Sequence, residues 1–259
     1  MTETKDRPER KGEQLPLQFS HAAARGRDDL LVSERLAAAV SLVDEWPNWP
    51  SPVVVLAGPV GSGKSHLAHI WREHSGAVEI HPLAGSNASQ IAASGPVVFE
   101  DADRRGFDDT ELFHVINAVR QHGHTLLLTS RLWPISWPVE LPDLKSRLKA
   151  ATVVEIGEPD EDLLAQVIIK LFADRQLNID DKLVGYIVAR MERSLEAAQR
   201  IVDQLDRLAL ARGARITRSL AAEVLESFSR SDEGGSSVFD AADPKGSGGS
   251  DDGSGDSGD

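Results

Sequence analysis

The 259-residue chain contains no cysteine, a single tyrosine and two methionines, and aromatic residues make up only 5% of it. Without cysteine there is no disulfide framework and no thiolate metal site. Long apolar runs are missing as well: nothing approaches the ~20 residues that cross a bilayer. The opening stretch MTETKDRPERKGEQ is charged and lacks the apolar centre of an export signal. The expectation is a cytoplasmic protein that makes no membrane contact. Basic charge is also in deficit. The 28 Lys and Arg face 41 Asp and Glu, a formal charge of −13, which argues against holding nucleic acid across a broad surface by counterion release. Residues 229–259 hold eight acidic side chains against Arg230 and Lys245, and the first 228 residues remain acidic at −7.

What is present begins with hydrophobic residues at 41%, enough for one α/β domain and a small companion. The chain is organised around Val53 to His66, VVVLAGPVGSGKSH. Val53 to Leu56 is an apolar run of strand length. Gly58-Pro59-Val60-Gly61-Ser62-Gly63-Lys64-Ser65 satisfies GxxxxGK[ST], and the stretch that follows reads as a helix with Leu67, Ile70 and Trp71 on one face. Glycines let the backbone turn its N–H groups inward around phosphate oxygens, and the positive end of the helix adds to the attraction. Lys64 is expected on the β- and γ-phosphates and Ser65 on Mg²⁺. The cofactor expected is ADP or ATP with Mg²⁺.

The remaining elements fall in a consistent order. A helix is expected from Asp28 to Glu45, with Leu36, Val40 and Val43 at helical spacing, ended by Trp46-Pro47-Asn48-Trp49-Pro50. Leu31 and Val32, near its start, either lie against an adenine ring or pack ordinarily. A short strand near Ala77 to Ile80 precedes the run Val97-Val98-Phe99-Glu100-Asp101. An apolar strand ending in two acids suits one carboxylate orienting Mg²⁺ and another activating water; the alternative is a solvated strand end. A helix from Asp109 to His122 and a strand from Thr125 to Leu128 lead to Thr129-Ser130-Arg131, where a polar residue at a strand tip can sense the γ-phosphate. Asp160 to Phe228 reads as helices, with Gly213 at one helix end and Thr217 or Ser219 as a cap for the last. The division expected is a flexible arm (1–26), a three-layer αβα base with a parallel sheet (27–157), a small all-α lid (158–228) and a Gly/Ser/Asp-rich tail (229–259) whose composition cannot bury apolar surface.

Five stretches, GPVGSGKSHL, ELFHVINAV, LLLTS, LPDLKSRL and DQLDRLAL, together make Leu30 to Phe228 resemble the AAA+ ATPases of the DnaA group, and within it the Hda family of regulatory inactivators of DnaA. In the arm, Gln14, Leu17 and Phe19 fit QxxLxF, which resembles the motif by which replication proteins dock on the bacterial sliding clamp. The resemblance implies several roles. Arg147, in SRL, would be an arginine finger for a neighbouring subunit's ATP; a surface ion pair is the plainer alternative. Glu100 stands where the family usually has Asp, and Arg131 where it usually has an acid, so the γ-phosphate sensor would fall to Thr129 or Ser130 or be absent. Glu196 falls in the slot of the sensor 2 arginine, with Arg193 on nearly the same helical face as a substitute. These departures imply retained nucleotide binding and weakened hydrolysis by the subunit itself. DnaA continues into a helix-turn-helix domain that this chain lacks, so no direct sequence-specific DNA binding is expected, and self-association is left open. The implied function is regulation of replication initiation: docking on the clamp and stimulating hydrolysis of DnaA-bound ATP. The alternatives are a loader or remodeller with its own ATPase cycle, a P-loop kinase, and a non-catalytic adaptor between clamp and DnaA.

Overall fold

Apolar runs of three to five residues become the strands of one parallel sheet, apart from the short edge strand. The computed structural model describes residues 31 and 33–233. Its strands are β1 (Val53–Ala57), β2 (Val78–Glu79), β3 (Val97–Phe99), β4 (Leu126–Ser130) and β5 (Thr152–Glu155), in the order β2-β3-β4-β1-β5. Every pairing is parallel. β1, β3 and β4 are buried at every residue, as expected of a parallel sheet covered on both faces.

Alternation along the strands divides the two faces. Val53, Val55, Val97, Phe99, Leu126 and Leu128 join the cluster that includes Ala88 and Ala92 of α3 (Ala88–Ala92), Leu112, Val115, Ile116 and Val119 of α5 (Asp109–His122), and Leu144 and Leu148 of α6 (Pro142–Lys149). Val54, Leu56, Val98 and Leu127 point the other way, onto α1 (Glu34–Asp44) and α2 (Lys64–Ser75). The result is three layers, helix on sheet on helix, with a short α4 (Ala102–Arg105) after β3. The tips of β1, β3 and β4 open on one edge. β4 lies between β1 and β3, so the chain order of the strands is interrupted there, the kind of crevice in which open α/β sheets bind ligands.

The second part is α7 (Glu161–Asp174), α8 (Asp181–Val188), α9 (Leu195–Arg212) and α10 (Arg218–Glu233), which share an apolar cluster including Leu164, Ile168, Phe172, Ile187, Ile201, Leu205 and Val224. Leu163 leaves that cluster and packs with the α1/α2 layer, joining the two parts. Local capping fixes the helix starts. Asp108, Asp160 and Ser194 accept the N–H of Glu111, Leu163 and Ala197, each worth about 1 kcal/mol. Thr217, rather than Ser219, accepts from Leu220 at the start of α10.

Two expectations change. The segment expected only to end α1 builds a packing platform: Trp49 stacks on the fully buried Trp71 with ring centroids 5.1 Å apart, and Trp46 meets Trp71 edge-on at 6.4 Å. The Trp46 indole donates to Thr125 Oγ1 at 3.1 Å and the Trp49 indole to the Leu42 carbonyl at 2.6 Å. Second, β4 runs on through Thr129 and Ser130, because their backbones pair with Leu56 and Ala57. Both residues are fully buried, Thr129 within the strand and Ser130 as its last residue. Gln14, Leu17, Phe19 and Val32 lie outside the described residues, as do residues 234–259.

Candidate functional site

The loop between β1 and α2 is shaped by close approaches. The Gly58 N–H donates to the Ser130 carbonyl at 3.1 Å, which ties the start of the loop to the end of β4. A Cβ on Gly58 would lie 2.2 Å from the Ile156 carbonyl oxygen. Only glycine fits there. Gly61 and Gly63 take φ of +69° and +102°, and Gly63 is the N-cap of α2. The first residue of α2 is Lys64, 6% exposed. Its ammonium donates to the carbonyls of Gly58 at 2.8 Å and Pro59 at 2.7 Å. Burial pushes the Lys64 pKa below that of an ordinary lysine, opposed by Asp101 and Asp103, with Arg131 adding to the lowering. Ser62 is buried, and its hydroxyl has no partner among the described residues. A buried cation held only by carbonyls, at the N-terminus of a 12-residue helix, fits an anion such as phosphate.

This loop forms one wall of a cleft of about 350 Å³. Gly61, Gly63, Lys64 and Ser65 line it from the loop, Asp101 and Arg104 from the end of β3 and α4, Arg131 from the end of β4, and Leu195, Glu196 and Gln199 from α9. Asp101 sits in the left-handed region at φ 53°, ψ 43°, and its N–H donates to Thr129 Oγ1 at 2.9 Å. Thr129 therefore positions the Asp101 backbone from inside the sheet. Glu100 is half-buried and is not part of the cleft wall. No group of three or more His, Asp or Glu among the described residues gathers to hold a metal. Ser65 and Asp101 in the wall still fit Mg²⁺, which keeps several waters and takes substrate phosphates as ligands.

The helical part reaches this loop directly. The Leu195 N–H donates to the Gly61 carbonyl at 2.9 Å, and a Cβ on Gly61 would lie 2.2 Å from Ser194 Oγ. Glu196 thus enters the cleft wall. Arg193 does not: its guanidinium pairs with Glu161 at 2.7 Å, both groups exposed. Leu31 packs against the α1/α2 core. Arg147 also stands outside the cleft wall, half-buried on α6, with no carboxylate paired to it among the described residues. Leu144 and Leu148 anchor α6 in the core, and Asp109 accepts the N–H groups of Glu140 at 2.7 Å and Leu141 at 2.8 Å. Arg104, His66, His69 and Gln199 complete the cleft wall. Sequence reasoning missed them, and the one usable signal was the Ser194 cap that places Gln199 near the start of a helix.

No family model matches the chain. Over 232 residues it is 23% identical to an uncharacterized protein of Haemophilus influenzae, covering 82% of this chain and 98% of that one. Over 119 residues it is 29% identical to the chromosomal replication initiator protein DnaA of Enterococcus faecalis, covering 46% of this chain and 26% of DnaA. The chain thus matches about a quarter of the length of that relative. Among solved structures, domain III of Thermotoga maritima DnaA superposes with a TM-score of 0.66 at 15% identity, over 83% of this chain and 99% of that domain. The T. maritima RuvB Holliday junction branch migration motor gives 0.62 at 19% identity, over 78% and 72%. A DnaA bound to AMPPCP and single-stranded DNA gives 0.58 at 18% identity, over 80% and 68%. The fold is the AAA+ fold shared by DnaA domain III and RuvB.

Proposed function

We propose that this chain is a cytoplasmic AAA+ regulator of replication initiation that binds ADP or ATP with Mg²⁺ in the cleft and acts on ATP held by DnaA. Residues 27–157 are the nucleotide-binding base and 158–228 the lid. Gly58 to Gly63 surround the phosphates with backbone N–H groups, Lys64 holds them as a cation, and Ser65 with Asp101 or Glu100 orients the metal. Bound Mg²⁺ would neutralise phosphate charge.

Weak hydrolysis by the subunit itself follows from two features. Thr129 holds Asp101 and is buried, while Glu196 brings negative charge to the cleft where a cation would stabilise the developing charge. The observation that carries the reading is Arg147: a half-buried arginine on a firmly anchored helix, outside its own cleft. Presented to a partner's γ-phosphate, such a group is worth about 10³ to 10⁵ in rate. Exposed apolar side chains support a docking face nearby. Leu132, Trp133 and Ile135 are 53%, 46% and 87% exposed, the first two just before and the third within a turn, Pro134–Ser136, that packs on α6. Gln14, Leu17 and Phe19 bring the protein to the DNA-loaded clamp in this reading.

The test combines DnaA carrying labelled ATP, clamp on DNA, and this protein with and without residues 1–26. Stimulated release of labelled phosphate that needs both clamp and arm is expected. Stimulation that survives loss of the arm removes the clamp step, and absence of stimulation by the whole chain removes the reading.

A further inference from the structure

The helical part holds a group of arginines that the nucleotide cleft does not use. From residue 207 to residue 222 the chain carries Arg207, Arg212, Arg215 and Arg218 and no acidic residue, although its formal charge is −13. The positive bias is local. α8 packs on α10, which brings Arg190, just past the end of α8, to Arg218, the first residue of α10. Both meet the single tyrosine of the chain: the guanidinium carbons of Arg190 and Arg218 lie over the Tyr186 ring, 4.1 and 4.5 Å from its centre. Arg190 also donates to the Tyr186 carbonyl at 3.4 Å. Tyr186 packs against the apolar cluster of the helical part, so the ring is a fixed support for two exposed cations. Lys182, also exposed, stands one turn before Tyr186 on α8 and extends the row. Among the described residues no carboxylate is paired with Lys182, Arg190 or Arg218, whereas Arg193, Arg200 and Arg212 of the same helical part each have one. Two like charges beside one ring repel each other, and attraction to the ring offsets only part of that. An anion that spans them removes the conflict.

We propose that Lys182, Arg190 and Arg218 form a site for the phosphodiester backbone of duplex DNA, with Tyr186 as the positioning residue that holds the two guanidiniums side by side. Guanidinium forks match phosphate oxygens, and successive phosphates supply the spaced anions that a row of separate cations requires. A duplex carries them on a stiff frame and so loses less freedom on docking than an acidic peptide does. Contact to phosphates alone is independent of sequence, and the acidic remainder of the chain keeps it weak and confined to this patch. The choice of duplex DNA rests on the preceding reading, in which the protein works beside DNA that carries the clamp. The site itself uses neither Arg147 nor the nucleotide cleft.

Fluorescence anisotropy of a labelled duplex titrated with the full chain at several salt concentrations, without clamp, DnaA or nucleotide, tests this. The parent is expected to bind less tightly as salt rises. Arg190→Gln with Arg218→Gln should weaken binding about tenfold or more and lower the slope of log affinity against log salt by about 2. Both residues are exposed and glutamine keeps a long polar side chain, so the fold is retained. Tyr186→Leu removes the ring at unchanged charge and should weaken binding about threefold, while Tyr186→Phe binds as the parent does. Unchanged affinity and slope in the double variant, or no binding by the parent, overturns the site. Binding of a single strand or of polyglutamate that equals or exceeds that of the duplex overturns the choice of duplex DNA. Arg147→Ala is expected to bind the duplex like the parent, and a parent that binds duplex without stimulating DnaA leaves this site standing while the preceding reading falls.

Discussion

The two walls of the cleft use charge in opposite ways. The sheet side, from β1, β3 and β4, presents Lys64, Arg104 and Arg131, with Arg131 gripped by the buried carboxylate of Asp103. The helical side meets the same loop through the Leu195 N–H and brings Glu196 into the wall, while its arginine, Arg193, pairs with Glu161 outside. Phosphate attraction therefore resides on one side, and the other side contributes closure. A cation that faces its own subunit's cleft is poorly placed to act on a partner's nucleotide. Arg147 lies outside both walls, with no carboxylate paired to it among the described residues, and the proposed function assigns that task to it.

The largest effect that sharpens this contrast is expected at Lys64. Lys64→Ala should lower nucleotide affinity by roughly a hundredfold, read by calorimetry, because a charge-assisted bond to phosphate is lost from a buried site. The parent chain carries a pH signature too. Burial lowers the Lys64 pKa, so its positive charge is lost at lower pH than in an exposed lysine. Affinity should weaken correspondingly early as pH rises.

Next comes the seam between the walls. Gly61→Ala places a Cβ 2.2 Å from Ser194 Oγ at a φ of +69°. The Ser194 oxygen is held by the Ala197 N–H at 3.0 Å, so it yields reluctantly. A loss of about 1–3 kcal/mol in chemical denaturation is expected; unchanged stability would mean that the helical part does not rest on the loop. Smaller still is Arg193→Ala. Its partner Glu161 is exposed, so stability should change by no more than about 1 kcal/mol, and nucleotide affinity should hold within about twofold. A large loss of affinity would return Arg193 to the cleft and erase the difference between the walls.

The smallest effect belongs to the pair Arg212 and Glu223 on α9 and α10, 2.6 Å apart and exposed. The hydrogen bond from Arg212, aided by its charge, holds the Glu223 carboxyl below the usual glutamate range. Its slight stabilisation is present at neutral pH and disappears as pH falls through that lowered value. Glu223→Gln should flatten this part of an acid unfolding profile and leave nucleotide binding unchanged.

Much of this was legible because it is encoded locally. The bounds of α5, Asp109–His122, follow from the Asp108 cap and from Gly123 just past its end. The phosphate loop declares itself through its glycines and the strand and helix around it. Contacts between distant segments were not legible. The end of β4 depends on pairing with β1, so Thr129 and Ser130 entered the strand although their polarity suggested a tip. The Trp46, Trp49 and Trp71 platform and the seat of Ser194 against Gly61 each join parts of the chain that no periodicity connects. Arg104 reaches the cleft through a short helix that starts after the left-handed Asp101, a conformation that sequence does not announce.

The most direct measurement is single-turnover hydrolysis of DnaA-bound ATP in the presence of clamp-loaded DNA and Arg147→Ala, with clamp and nucleotide binding measured on the same preparation. Arg147 acting on a partner's nucleotide predicts unchanged binding of both and a fall in stimulation of about 10³-fold or more, to the unstimulated rate. Full stimulation by Arg147→Ala, with binding intact, would contradict it.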